Sequence, residues 1–209
     1  MNSPDRPATQ PSFTDLVRGG YDRVAETYAA QRDTTANLPF LERFTEALPA
    51  AGKVLDLGCG AGIVSELLIA KGFEVIGIDI SPKQIEMARQ LNLAATLQVR
   101  DMQDLKHGEF HVDGVISLYA IFHLPRESHR RLFQVIRTFM EPGGCLLVTM
   151  GEEAWEGVEP DYLGTEMYWS NYGRVENRAL IEGAGFGILL DEIDPSAGER
   201  HQVVLGIAR

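Results

Sequence analysis

The chain has 209 residues, enough for one domain with a full core. Its formal net charge of −11 creates a field that repels phosphate backbones, which counts against nucleic acid as a partner. Hydrophobic residues make up 44% and no apolar run is long enough to span a membrane; the two cysteines, Cys59 and Cys145, form neither a disulfide framework nor a metal site, so a reducing, cytoplasmic setting is the default.

In chain order, Pro4, Pro7 and Pro11 among polar residues predict a disordered tail over residues 1–12, with no leader signature, ahead of a single domain over 13–209. Helical signals begin near Gly20, with Tyr21, Val24, Ala25 and Tyr28 on one face. A second helix is expected from Leu38 to Leu48, with Pro39 in its first turn. Val54, Leu55 and Leu57 then read as a buried strand. Gly58-Cys59-Gly60-Ala61-Gly62 ends that strand in a turn, and Ile63, Leu67 and Ala70 mark the helix that follows. Strand, glycine turn and helix leave free N–H groups that suit a nucleotide-like ligand. A dinucleotide fingerprint would require a third glycine where Ile63 stands, and the Asp56 carboxylate would repel a pyrophosphate while accepting from an ammonium group.

A second strand, Phe73–Asp79, ends in a carboxylate about 20 residues beyond the turn, where an acid can accept from both hydroxyls of a ribose. Ser81 and Pro82 start a helix as N-cap and first position, with Ile85, Ala88 and Leu91 on its buried face. Ala95–Val99 is the third strand, followed by Asp101 and Met102, and Val112–Leu118 is the fourth. It leads through Tyr119 and His123 into a helix over Glu127–Met140, stopped by Pro142-Gly143-Gly144. Cys145–Met150 is the fifth strand. Residues 151–173 show no clear period, open with acids and are dense in aromatics, as expected of a lid or substrate segment. A helix over Arg174–Ala184 precedes strands Gly187–Ile193 and Gln202–Ala208, joined by a loop over Asp194–Glu199. The alternation predicts an α/β fold: a seven-stranded, mostly parallel sheet with helices on both faces and an antiparallel C-terminal β-hairpin.

The string Asp56-Leu57-Gly58-Cys59-Gly60-Ala61-Gly62, with Asp79 one strand later and Pro142-Gly143-Gly144 before the fifth strand, resembles the class I S-adenosylmethionine (SAM)-dependent methyltransferases, of the small bacterial type acting on small molecules. The resemblance runs from about Tyr21 to Arg209. It implies SAM as cofactor and S-adenosylhomocysteine as product. The turn of Gly58, Cys59 and Gly60, with Asp56, would wrap the amino-acid end; Asp79 and Ile80 would hold the ribose; Asp101 would accept from the adenine amino group and Met102 lie on the ring. Leu118 and the residues after it would face the reacting methyl. Helices over residues 13–50 would form a cap, with Tyr21 and Tyr28 closing over the methionine part.

His123 is the candidate general base, because a neutral imidazole takes a proton from a hydroxyl, thiol or ammonium; the alternative is a histidine that only caps or packs. Tyr119, Tyr168, Trp169 and Tyr172, with Arg174 and His201, are the candidate substrate wall. His129 and Arg130 are expected to be exposed on a helix, and the scattered histidines give no metal reading. The function expected is methyl transfer to an O, N or S atom of a small molecule, by a monomer or homodimer without a membrane partner. Alternatives are a protein or RNA methyltransferase and a SAM-binding protein without catalysis; a nicotinamide dehydrogenase is disfavoured by Ile63 and Asp56.

Overall fold

A computed structural model describes residues 12–31, 37–91, 94–195 and 200–209. The expected tail therefore lies outside the described residues except for Ser12, as does most of the expected loop at 194–199. The central sheet is built from β1 (Lys53–Leu57), β2 (Glu74–Asp79), β3 (Ala95–Val99), β4 (Gly114–Ser117), β5 (Cys145–Gly151), β8 (Phe186–Asp194) and β9 (His201–Ala208). Their order is β3-β2-β1-β4-β5-β9-β8, parallel through β5, with β9 antiparallel to both β5 and β8. The seven-stranded sheet and its closing hairpin are thus as expected, with β9 threaded inside the edge strand.

Strand alternation sends neighbouring side chains to opposite faces, and two cores result. Leu55, Leu57, Val115, Leu146 and Val148 pack against α5 (His129–Arg137) and α6 (Arg174–Gly183). Val54, Val75, Ile116 and Leu147 face α2 (Leu38–Glu46) and α3 (Ile63–Ala70) through Leu41, Phe44, Val64 and Leu68. Helix α4 (Pro82–Gln90) is capped as its Ser-Pro start predicts: the Ser81 hydroxyl accepts from the Gln84 N–H at 3.1 Å. No helix among the described residues is long and apolar enough to cross a membrane.

Three elements depart from the sequence reading. Helix α1 (Phe13–Gln31) starts seven residues before Gly20, and Gly19 and Gly20 lie inside it. A Cβ on Gly20 would sit 2.7 Å from the Met167 methyl and 3.2 Å from the Glu166 carbonyl, so this glycine is a helix–strand contact and not a breaker. Residues 151–173 are not structureless: β6 (Trp155–Tyr162) and β7 (Thr165–Asn171) form a separate antiparallel hairpin. Its turn residues Leu163 and Gly164 have φ of 54° and 87°, the pattern of a type I′ turn, and the Asp161 carboxylate accepts from the Gly164 N–H at 3.0 Å. Finally, two short 3₁₀ turns, Ile121–His123 and Arg126–Ser128, precede α5, which begins at His129. That residue is fully buried, contrary to the expected exposure; its ring lies 6.1 Å from Tyr172 and its Nε2 is 3.2 Å from the Leu124 carbonyl.

Candidate active site

The glycine turn is shaped by its neighbours. Gly58 has φ of 75°, and a Cβ there would fall 2.3 Å from the Ala120 Cβ, so only glycine lets β1 end beside the β4 loop. The Gly58 and Cys59 N–H groups donate to the Ile78 carbonyl at 2.8 and 3.0 Å, tying the turn to the end of β2. At Gly60 the N–H donates to Asp79 Oδ2 at 2.9 Å, and the Ser81 N–H donates to Asp79 Oδ1 at 2.8 Å. Asp79 is thereby held at the C-terminal ends of the parallel strands, where open α/β sheets bind ligands. It is 9% exposed, and burial outweighs those two bonds to raise its pKa to about 6.

Beside this turn lies a cavity at the strand ends. Its walls include Gly58, Gly60, Asp79 and Ile80 from the two strand ends, and Asp101 and Met102 from the loop after β3. Leu118, Tyr119 and His123 close it from the β4 side, and Tyr21 and Tyr28 from α1. The Asp101 carboxylate already accepts from the Gln103 N–H at 2.8 Å as the cap of a 3₁₀ turn. Tyr119 holds a positive φ of 58°, unusual for a bulky residue, and its hydroxyl donates to the Asn37 Oδ1 at 3.1 Å. Sequence reasoning missed Gln84, Thr14 and Gln103, which also line the cavity. Thr14 precedes the residues that carry the helical signal near Gly20, and the amides carry no motif.

Other predicted residues lie elsewhere. Asp56 is buried and accepts from the Ser65 hydroxyl at 2.8 Å, bracing the first turn of α3. The Cys59 thiol turns into the sheet, where a Cβ on Gly77 would meet its sulfur at 2.9 Å, and burial pushes its pKa well up. Tyr168 is 1% exposed, stacks on Phe13 at 4.0 Å and donates to Glu156 at 2.9 Å. Tyr172 packs on the core under α5 and α6 and carries the Arg126 guanidinium at 5.6 Å. Arg174 pairs with Asp191 at 3.0 Å, joining α6 to β8 away from the cavity.

His123 sits between two fixed partners. Its Nδ1 lies 2.8 Å from the Tyr168 carbonyl, and its Nε2 lies 2.7 Å from the Tyr21 hydroxyl. A carbonyl only accepts, so Nδ1 carries the hydrogen; the Nε2 lone pair of the neutral ring then accepts from Tyr21. Burial lowers the His123 pKa to about 4, against the raising effect of the Tyr168 bond, so the ring is uncharged at neutral pH.

Behind His123 a layer of rings separates this cavity from a wider groove. Trp169 lies 4.3 Å from His123 and 5.3 Å from Phe122; His201 lies 5.6 Å from Phe122 and 5.0 Å from Tyr119. The groove is lined by both tryptophans of the chain, Trp155 and Trp169, with Phe122 and His201 and the acids Glu153 and Glu159. Arg200 at its edge is held by both oxygens of Glu152, at 2.6 and 2.8 Å.

The first cavity suits a nucleoside with a cationic centre. An anchored carboxylate stands where ribose hydroxyls would donate, backbone at Gly60 leaves open space that a Cβ would enter, and the histidine facing the interior is neutral. A family model described as a methyltransferase domain matches residues 54–144. The chain is 30% identical to the 18S rRNA (guanine-N(7))-methyltransferase of Schizosaccharomyces pombe, over 92% of this chain and 69% of that one. It is 28% identical to a ubiquinone biosynthesis O-methyltransferase of Chromobacterium violaceum, over 63% of this chain and 57% of the relative, so the match spans little more than half of that relative's length. Its fold superposes with a TM-score of 0.74 on the 1,6-didemethyltoxoflavin-N1-methyltransferase of Burkholderia thailandensis, at 17% identity, covering 98% of this chain and 92% of that one. The chain belongs to the class I S-adenosylmethionine-dependent methyltransferases.

Proposed function

We propose that this protein transfers a methyl group from SAM to an O, N or S atom of a small organic acceptor. The observation that carries the reading is the buried Asp79 carboxylate, bonded to the Gly60 and Ser81 N–H groups at the wall of the glycine-turn cavity. SAM, when bound, supplies a methyl group activated by its sulfonium. The Gly58–Gly60 turn would hold its amino-acid end, Asp79 its ribose hydroxyls, and Asp101 with Met102 its base. The Tyr21 and Tyr28 rings, edge to face at 5.4 Å, offer π-faces to a cation.

His123 suits a positioning role better than the base role weighed from sequence. Its lone pair is engaged by Tyr21 and its low pKa makes it a weak proton acceptor at neutral pH. As an uncharged acceptor it holds Tyr21, and with it α1, across the cavity. Rate then comes from alignment and exclusion of water. The acceptor would enter from the groove and pass the Phe122, Trp169 and His201 rings, which suit a planar molecule, so that its nucleophilic atom meets the methyl inside the first cavity. The names of the Burkholderia and Chromobacterium proteins, both enzymes of small molecules, support this reading.

RNA is the second reading, favoured by the Schizosaccharomyces relative that aligns over most of the chain. The net charge of −11 argues against it. Incubation with methyl-labelled SAM separates the two. One arm holds catechol, aniline and thiophenol; the other holds ribosomal RNA at low and high salt. Label on an organic acceptor and none on RNA is expected. Label on RNA that fades with salt overturns the small-molecule reading, and label on neither overturns catalysis.

A further inference from the structure

The groove carries an excess of negative charge beside open rings. Its walls hold three carboxylates, Glu152, Glu153 and Glu159, against one guanidinium, Arg200. Both Glu152 oxygens bind Arg200, and Glu153 adds to the field there. Glu159 takes part in no ion pair or side-chain hydrogen bond among the described residues. The groove therefore keeps a carboxylate whose charge the folded chain does not offset.

The hairpin sets that carboxylate on the same face as the tryptophans. Alternate residues of a strand share a face, so Trp155, Gly157 and Glu159 of β6 point the same way, and Trp169 is the cross-strand partner of Gly157. Gly157 makes room for the Trp155 indole: a Cβ there would meet the ring at 3.1 and 3.3 Å. The indole thus lies over Gly157, on the face that Trp169 shares, and Trp155 is 47% exposed. Indole faces with a carboxylate beside them attract an organic cation and repel an anion.

The inner cavity adds a second constraint. The His123 lone pair is engaged by Tyr21, and Asp79 is engaged by the Gly60 and Ser81 N–H groups. A phenol or thiol must shed a proton to become a good nucleophile, and an ammonium has no lone pair to offer. A pyridine-like ring nitrogen has a lone pair and no proton to lose. It bonds to the methyl carbon as the carbon–sulfur bond breaks and that electron pair returns to sulfur. The sulfonium becomes a neutral thioether, the positive charge passes to the methylated ring, and no proton moves. We infer that the acceptor is a planar heteroaromatic base methylated on a ring nitrogen, favoured by Trp155 and Glu159 because it takes on positive charge. The inference rests on the SAM reading above and narrows its O, N or S atom to an uncharged aromatic nitrogen.

Two ligands of one frame and opposite charge, N-methylisoquinolinium and 2-naphthoate, test the groove. Both tryptophans of the chain line it, so quenching of their emission reports its occupancy. With S-adenosylhomocysteine bound, the cation should bind at least about tenfold more tightly than the anion, and added salt should narrow the gap. Glu159→Gln should weaken the cation about threefold or more while still titrating with S-adenosylhomocysteine. With methyl-labelled SAM, label should enter isoquinoline or 1-methylimidazole and not 2-naphthol. If S-adenosylhomocysteine binds but the anion matches the cation, or Glu159→Gln leaves the cation's affinity unchanged, the inference is overturned while the cofactor reading stands. Label on 2-naphthol, or on none of the three, overturns it as well. If the wild type binds no S-adenosylhomocysteine, the cofactor reading falls and the inference with it.

Discussion

At the scale of single residues the site depends on protonation states fixed by burial. Asp79 titrates near 6, and a ligand that donates hydroxyls to it needs the ionised form. Cofactor affinity should therefore be flat above about pH 7 and fall roughly tenfold per unit below pH 6, with proton release on binding near pH 6. Titration calorimetry in buffers of different ionisation enthalpy checks this; affinity unchanged at pH 5 would contradict it. The Tyr21–His123 bond makes its own prediction. If His123 holds Tyr21, then Tyr21→Phe and His123→Ala should each weaken cofactor binding by about 1–2 kcal/mol, and the double variant should lose little more than either alone. A His123→Ala variant that keeps full affinity and loses only turnover would return His123 to the role of general base.

At the scale of elements, the cavity's cover is helix α1 docked on the β6–β7 hairpin. Val17, Met167 and Tyr168 form a small core there, Arg23 donates to Thr165 at 2.7 Å, and Gly20 lets the helix approach β7 closely. Gly20→Val should push α1 off this seat, weakening cofactor affinity at least several-fold while the sheet's own circular dichroism persists. Unchanged affinity would show that α1 is not a necessary wall. The same elements mark where sequence was readable and where it was not. The glycine turn, Asp79 and the Ser81 cap were legible because each combines a residue type with a fixed spacing. The hairpin was not: its turn is Leu163-Gly164 without the usual Asn or Asp, Pro160 sits within β6, and the pairing shifts register between Glu159 and Tyr162. Gly19-Gly20 hid the start of α1, because two glycines look like a break until β7 is seen against them. The aromatic run 168–172 stands out in the sequence, yet composition alone does not assign faces. Tyr168 joins the small core under α1, Trp169 lines the groove and Tyr172 packs on the core under α5 and α6.

At the scale of the molecule, three buried titrations set acid behaviour. His123 and His129 have pKa values lowered to about 4 by burial, so the unfolded chain binds protons first and their contribution, complete above about pH 6.5, is lost as pH falls. Asp79 has the opposite sign: its raised pKa makes the fold gain stability as pH drops through 6. Two histidines against one carboxylate give a net loss of roughly 2 kcal/mol between pH 7 and pH 5. Denaturant titrations at the two values check the sign, and His129→Gln should flatten the slope without altering cofactor affinity. The most direct test of the whole account is calorimetry of the folded protein with S-adenosylhomocysteine at pH 7.5, beside Asp79→Asn. The account predicts one-to-one binding, weakened at least about tenfold in the variant. A wild type that takes up neither SAM nor S-adenosylhomocysteine, or a variant that binds as tightly as the wild type, would contradict it.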